Sequence, residues 1–208
     1  AIYAQIDAML DTEPQDKIVT FACNWCSYAG ADTAGVSRMA YPPNARIIRT
    51  MCSGRVNAEF VWYAFRKGAP VVLLSGCHYV DCHYIDANRS TVRRADGLWD
   101  GLEKAGLRPE RLQLEWCSAA EGARWQTIMF EAEQKRQSVT LEEIEQTRTA
   151  LAKGRVPGPR NPRPGAIGQQ AGFRCMRCGH EWADAFKIEE RHCPQCRSNS
   201  VRWLPTKR

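Results

Sequence analysis

No apolar run in the 208-residue sequence approaches the roughly 20 residues that a membrane-spanning helix needs. The start, AIYAQIDAML, has neither a basic stretch nor a small-residue cleavage pattern. No export signal is read there, and a cytoplasmic location is expected. No internal repeat is present apart from the recurrence of Cys-x-x-Cys. Thiols stay reduced in the cytoplasm, so ten cysteines point away from a disulfide framework and toward metal ligation or redox chemistry.

Charge is unevenly spread. Residues 153–208 hold 12 Lys and Arg against 4 Asp and Glu, a net of +8, whereas residues 1–152 carry a net of −2. The basic character belongs to the tail. Between the two, residues 154–172 contain 9 Gly or Pro in 19 positions and offer no apolar face, which reads as an extended linker.

Upstream of the linker four short apolar runs read as strands: residues 17–22, 46–51, 70–75 and 111–116. Helical patterns lie between and after them. Phe60, Val61, Ala64 and Phe65 recur at helical spacing, residues 82–106 form a longer polar stretch with a glycine stop, and Trp125, Ile128, Met129 and Ala132 mark one face. Thr140 and Glu143 have the spacing of a capping box. The alternation predicts an α/β fold with a parallel sheet and helices on both faces.

The cysteines fall at one kind of place in that fold. Cys23 and Cys26 follow the first strand, Cys52 the second, Cys77 and Cys82 the third, and Cys117 the fourth. Parallel strands present their carboxyl ends at one sheet edge, where open α/β sheets place their sites. Gly54 and Gly76 let backbone come close, and helix N-termini with Arg55 would favour an anionic cluster held by thiolates. The residues leave alternatives open. Structural zinc prefers two close ligand pairs, a thioredoxin-like dithiol would use Cys23 and Cys26 alone, and single cysteines also serve as small buried hydrophobes. Cys52 stands alone at its strand end, which makes it the least replaceable of the set. His78 and His83 read as supporting donors or surface residues rather than ligands. The turn CNWCSYAG lacks the hydroxyl-rich phosphate cradle of a flavodoxin, so no flavin of its own is expected.

The motifs CNWCSYAGADTAGVSRMAYPPNARIIRTMCSGRV, GCHYVDCHYIDANRS and LEWCSAAEG resemble the delta subunit of methyl-viologen-reducing hydrogenase over residues 17–137. The resemblance implies a flavodoxin-like domain carrying a [2Fe–2S] cluster on four of Cys23, Cys26, Cys52, Cys77 and Cys82. It also implies a relay of electrons between a hydrogenase, formate dehydrogenase or similar oxidoreductase module and a heterodisulfide-reductase-A-like flavoprotein. Such a chain performs no bond chemistry itself and works within a hetero-oligomeric complex. Cys117 stands where an aliphatic residue is expected and is left outside the ligand set.

Downstream, Cys175, Cys178, Cys193 and Cys196 form two Cys-x-x-Cys knuckles separated by 14 residues. This spacing signals one tetrahedral tetrathiolate site on a small β ribbon, with zinc favoured. Iron of the rubredoxin type is the competitor, and Arg197 stands against it where glycine would ease the turn. A unit of about 30 residues cannot bury enough core to fold unaided. Trp182, Phe186 and Trp203 are expected to form a miniature core, and His180 and His192 to lie at the surface.

The domains are expected at 1–16 (an N-terminal segment), 17–153 (the flavodoxin-like domain), 154–172 (the linker) and 173–208 (the zinc ribbon). The functional expectation is an iron–sulfur electron-transfer protein of a larger complex, with a tethered ribbon that docks on a partner chain and binds no nucleic acid. Its rivals are a thiol–disulfide oxidoreductase using Cys23 and Cys26, and a nucleic-acid module led by the basic ribbon.

Overall fold

A computed structural model describes residues 1–152, 170–185 and 191–204. Most of the linker and Phe186 lie outside the described residues.

The first strand, β1 (Ile18–Cys23), is central, with β2 (Ala45–Thr50) on one side and β3 (Val71–Gly76) on the other. A fourth strand, β4 (Leu112–Trp116), closes the far edge, and all neighbours run parallel in the order β2-β1-β3-β4. Each strand falls within one residue of its sequence reading. The small shift puts Cys23 on the last residue of β1 rather than beyond it.

Alternate residues of β1 serve opposite cores. Val19 and Phe21 join one buried cluster, Ile18 and Ala22 the other, as the period-2 pleat requires. The helix after β1, α2 (Ser27–Val36), shares the Ile18 face with α5 (Gly122–Gln137), which follows β4. The opposite face carries α3 (Ala58–Arg66), α4 (Ala87–Lys104) and the C-terminal end of α6 (Leu141–Ala152). Right-handed crossovers give this division when the chain first steps outward to β2 and then returns past β1 to β3.

Two helices differ from the sequence reading. Residues 2–10 form α1 (Ile2–Leu10), whose Ile6 and Leu10 are buried in the α3-side core. The long helix begins at Ala87, so Cys82 lies in the loop before it. Thr140 caps α6 through its side chain, which accepts from the Glu143 amide at 3.1 Å. The Glu143 carboxylate turns away to Arg108 at 3.0 Å, so the reciprocal half of a capping box is replaced by an ion pair.

The C-terminal unit is an antiparallel sheet of β5 (Gln170–Cys175), β6 (Glu181–Ala185) and β7 (Val201–Leu204), ordered β6-β5-β7. Phe173, Val201, Cys175 and Cys193 form its core, with Trp182 and Trp203 packed against them. Its position corrects the expectation of a free, tethered unit. The ribbon lies on the β4 edge of the α/β domain. The Leu114 amide donates to Ser200 Oγ at 2.8 Å, and the Ser200 hydroxyl lies 3.0 Å from the Leu114 carbonyl. Gln113 Nε2 donates to the Met176 carbonyl at 3.2 Å, and Met176 is buried in the α/β core. The open edge of β4 is thereby covered.

Four of the tail's basic residues are spent in the same contact. Arg177 pairs with Glu115 at 3.0 Å and Glu131 at 2.6 Å, and Arg191 with Asp96 at 2.9 Å. Arg202 reaches Asp100 at 2.5 Å and Glu103 at 2.6 Å, and Arg174 reaches Glu110 at 3.3 Å. For these four arginines the tail's charge is matched internally. Among the described residues, no helix is long and apolar enough to cross a membrane.

Candidate metal centres

The crevice between the carboxyl ends of β1 and β3 is the point where the strand order reverses, and three upstream thiols meet there. Cys23 Sγ lies 3.7 Å from Cys77 Sγ although 54 residues separate them. Cys26 packs with both in a buried group, and the half-buried Cys82 rests against it. The geometry follows from adjacency: Ala22 pairs with Ser75, so the next residues of both strands emerge side by side.

Cys52 occupies the other side of Cys23. It is buried, caps a 3-10 turn, and accepts from the Gly54 amide at 3.3 Å. Gly76 sets how closely that turn approaches β3. A Cβ built there would lie 2.6 Å from Ser53 Oγ and 2.9 Å from the Trp116 ring. Thr91 Oγ1 holds Ser53 Oγ at 2.9 Å, tying the turn to α4.

The electrostatics of the thiol group favour shared negative charge. Hydrogen bonds from Cys26, then Cys77, hold Cys23 down to about 2, helped by the Trp25 and Ser53 amides against the cost of burial. The same contact with Cys23 pushes Cys26 up to about 12 and Cys77 upward as well. Cys52 is raised by burial, opposed by the Gly54 and Arg55 amides. One thiolate accepting from neighbouring thiols, with backbone amides aimed at sulfur, is the donor set a cationic metal core fits.

Other residues fix the loops. Asn88 Nδ2 donates to the carbonyls of Cys77 at 3.2 Å and His78 at 3.0 Å. His78 Nε2 meets Glu121 Oε2 at 2.7 Å, while His83 stacks on Trp25 with ring centroids 3.9 Å apart. Trp25 Nε1 also donates to the Tyr84 hydroxyl at 3.3 Å. These residues stitch the first cysteine loop to the third. Sequence reasoning missed Asn88 and Trp25 as loop-fixing groups, since neither belongs to a ligand motif. Ile85, exposed, sits at φ 68°, a conformation that costs a β-branched residue about 1–3 kcal/mol. The loop carrying Cys82 is held under strain.

Cys117 lies outside this site. It is buried in the α2–α5 core, and burial pushes it up to about 12. A Cβ on Gly30 would fall 2.9 Å from its sulfur, so a small residue is required opposite it.

The ribbon thiols form a tighter set. The four ligand atoms of Cys175, Cys178, Cys193 and Cys196 all lie within 4.8 Å of one another. Cys175 to Cys196 and Cys178 to Cys193 are each 3.6 Å apart. Metal–sulfur bonds of about 2.3 Å in a tetrahedron place sulfurs about 3.8 Å apart, so these residues fit one ion. The two knuckles share a backbone design. The Gly179 amide donates to the Cys175 carbonyl at 3.0 Å, and the Arg197 amide to the Cys193 carbonyl at 2.9 Å. Both turning residues are left-handed, Gly179 at φ 77° and Arg197 at φ 63°. Arg197 therefore makes the turn expected to need glycine, which weakens the sequence reason for preferring zinc to iron. His180 stacks on Trp182 at 5.6 Å.

The family described as methyl-viologen-reducing hydrogenase, delta subunit, matches residues 18–139. The iron-sulfur D subunit of the vhc F420-non-reducing hydrogenase of Methanococcus voltae is 50% identical over 115 residues, 55% of this chain and 80% of that one. The iron-sulfur D subunit of the F420-non-reducing hydrogenase of Archaeoglobus profundus is 43% identical over 122 residues, covering 59% and 89% of the two chains. The A subunit of the ferredoxin:CoB-CoM heterodisulfide reductase of Methanosarcina mazei is 47% identical over 131 residues, 62% of this chain but 16% of that longer one. The matched family region spans all four parallel strands and the upstream cysteines; the chain belongs to the methyl-viologen-reducing hydrogenase delta subunit family.

Proposed function

We propose that this chain is the iron–sulfur electron-transfer member of a larger complex, with one [2Fe–2S] cluster at the β1–β3 crevice and one structural zinc ion in the ribbon. The observation that carries the reading is the meeting of Cys23, Cys26 and Cys77 at the strand-order reversal, with Cys82 against them. These four would be the ligands, and Cys52, expected from the sequence to be the least replaceable, would instead be the fifth, adjacent thiol, because it lies outside their group with its sulfur on the Gly54 amide. A bound cluster of this type takes up one electron and gives it up again. The protein's part is to bury the thiolates, donate amides to sulfur and keep water away.

The partners proposed are a hydrogenase, formate dehydrogenase or similar module on one side and a heterodisulfide-reductase-A-like flavoprotein on the other. Two relatives carry names of these kinds, and in the second the similar segment is part of the reductase polypeptide itself. The rim of the crevice suits such docking: Met51, Val80 and Ile85 are exposed by 60%, 93% and 87% on the loops that carry Cys52, Cys77 and Cys82. The proposed division into an α/β domain and a ribbon has the ribbon beginning at Gln170, the first residue of β5, rather than at residue 173. A cytoplasmic location goes with this reading.

Anaerobically purified full-length protein tests it. About two irons and two sulfides per chain, one zinc, and an EPR signal appearing only after one-electron reduction are expected. Iron-free protein after careful reconstitution would remove the electron-transfer reading. Reversible Cys23–Cys26 disulfide formation in such protein would favour the oxidoreductase rival.

A further inference from the structure

A second cavity lies beside the Cys52 turn and is not lined by any cysteine. It is an open cleft of about 600 Å³ between the start of α3 and the first turns of α4. Three of its lining residues are arginines, Arg55, Arg93 and Arg94, and none is a carboxylate. Ser90 and Asn57 add polar side chains, and Gly54 contributes backbone.

Five arginines elsewhere in the α/β domain are paired with acids. Arg66, Arg108, Arg124, Arg136 and Arg148 each meet a glutamate. Among the described residues Arg55, Arg93 and Arg94 form no ion pair. Arg94 is half-buried and lines the cavity, and its Nη1 is enclosed without a hydrogen-bond partner. Burial also draws the Arg94 pKa below its ordinary range, with nearby Cys52 opposing the shift.

The geometry points to a binding site for a small molecule carrying a diphosphate group, such as a nucleoside diphosphate. Three guanidinium forks match phosphoryl oxygens bidentately, and their summed charge calls for a multivalent anion. The N-terminus of α3 opens on the cavity at Ala58, adding the positive end of a nine-residue helix. The volume exceeds that of a phosphate ion and falls in the range of small-molecule sites. Gly54 both lines the cavity and donates its amide to Cys52, so the occupant would sit one residue from the thiol rim. The inference does not depend on what the thiols hold.

An alternative use of these arginines is to neutralise an anionic cluster at the rim without binding anything. Calorimetric titration of the full-length, anaerobically purified chain separates the two, with pyrophosphate, ADP and inorganic phosphate as probes. Saturable one-to-one binding of pyrophosphate and ADP, stronger than phosphate and weakened by salt, is expected. Arg94→Gln should weaken pyrophosphate binding roughly tenfold or more, the scale of one charged hydrogen bond. Arg93 is exposed, so Arg93→Gln should fold normally and still weaken binding. Failure of the wild-type chain to bind either diphosphate overturns the proposal, and that result would be seen if the arginines serve the rim alone or meet a partner's acidic segment. Wild-type affinity in Arg93→Gln and Arg94→Gln would overturn it equally.

Discussion

The two thiol groups of this chain are assembled in opposite ways. The ribbon's four sulfurs come from two five-residue turns, each closed by its own backbone hydrogen bonds, on a unit whose described core is a handful of side chains. The crevice thiols come from strands far apart in sequence, and a sheet with two extensive cores holds them in place. Metal should therefore be structural in the first group and a passenger in the second. A small unit would need the roughly 10–16 kcal/mol that a structural zinc ion contributes, whereas the α/β domain buries enough apolar surface to stand without the proposed cluster.

Substitutions at the crevice give the largest expected effect. Cys23→Ser or Cys77→Ser should abolish the iron–sulfur EPR signal while leaving far-UV circular dichroism unchanged. If either variant unfolds the domain, the passenger description fails. Cys82→Ser should also lose the cluster, whereas Cys52→Ser should keep one with a shifted midpoint potential. Loss of the cluster in Cys52→Ser with retention in Cys82→Ser would exchange their roles. Cys117→Ala should leave iron content intact.

Metal removal from the ribbon comes next in size. Chelation of the full-length protein should release the ribbon and bare the edge of β4. Amide exchange at Leu114, which donates to Ser200 Oγ in the folded chain, should then accelerate sharply. Unchanged protection after zinc loss would show that docking alone holds the ribbon.

The docking contact itself can be weighed at Glu115. Its side chain is 3% exposed and meets Arg177 at 3.0 Å, Arg124 at 3.3 Å and Ser198 Oγ at 2.5 Å. Glu115→Ala removes a buried acceptor from two partly exposed guanidinium groups, of which Arg177 keeps Glu131 at 2.6 Å, and should cost about 1.5–3 kcal/mol in urea denaturation. A loss under about 1 kcal/mol would mean that the network is solvated and the docking weak.

The smallest effect is at the rim of that contact. Arg202 holds the Glu103 carboxyl below its ordinary value of 4.5 through a hydrogen bond. A depressed folded-state pKa stabilises the fold above pH 4.5 and is lost as pH falls through the lower folded value. Glu103→Gln should flatten the acid limb of the stability curve slightly and leave neutral pH almost unaffected. A variant whose acid limb matches wild type would remove Glu103 from the docking contact.

Much of this was legible along the chain. Four runs of strand length placed β1 to β4 to within a residue: β1 and β3, buried on both sheet faces, leave a near-continuous apolar signature, and the end strands β2 and β4 leave shorter or alternating ones. The knuckle spacing announced the four ribbon cysteines whose sulfurs lie together, and the motifs around the upstream cysteines carried the family. Helix α1 was not legible. Its Ile6 and Leu10 have a partner face only once α3 is in place. The boundary between the Cys82 loop and α4 was not legible either, because a polar stretch does not mark where a strained turn gives way to a helix.

By itself the sequence determined the inventory: an alternating α/β domain, strand-end cysteines, and a pair of knuckles whose four sulfurs lie close enough for one ion. These are local properties, written in periodicity and in short separations. Tertiary structure decided which upstream thiols meet, since strand order depends on the direction of each crossover and alternation is the same for every order. Placing β1 beside both β2 and β3 brings Cys23 to Cys77 and leaves Cys52 across the strand. It also decided where the tail's positive charge goes. Charges counted along a chain carry no direction, and only the packed edge of β4 shows Arg177, Arg191 and Arg202 turned inward to Glu115, Asp96 and Asp100.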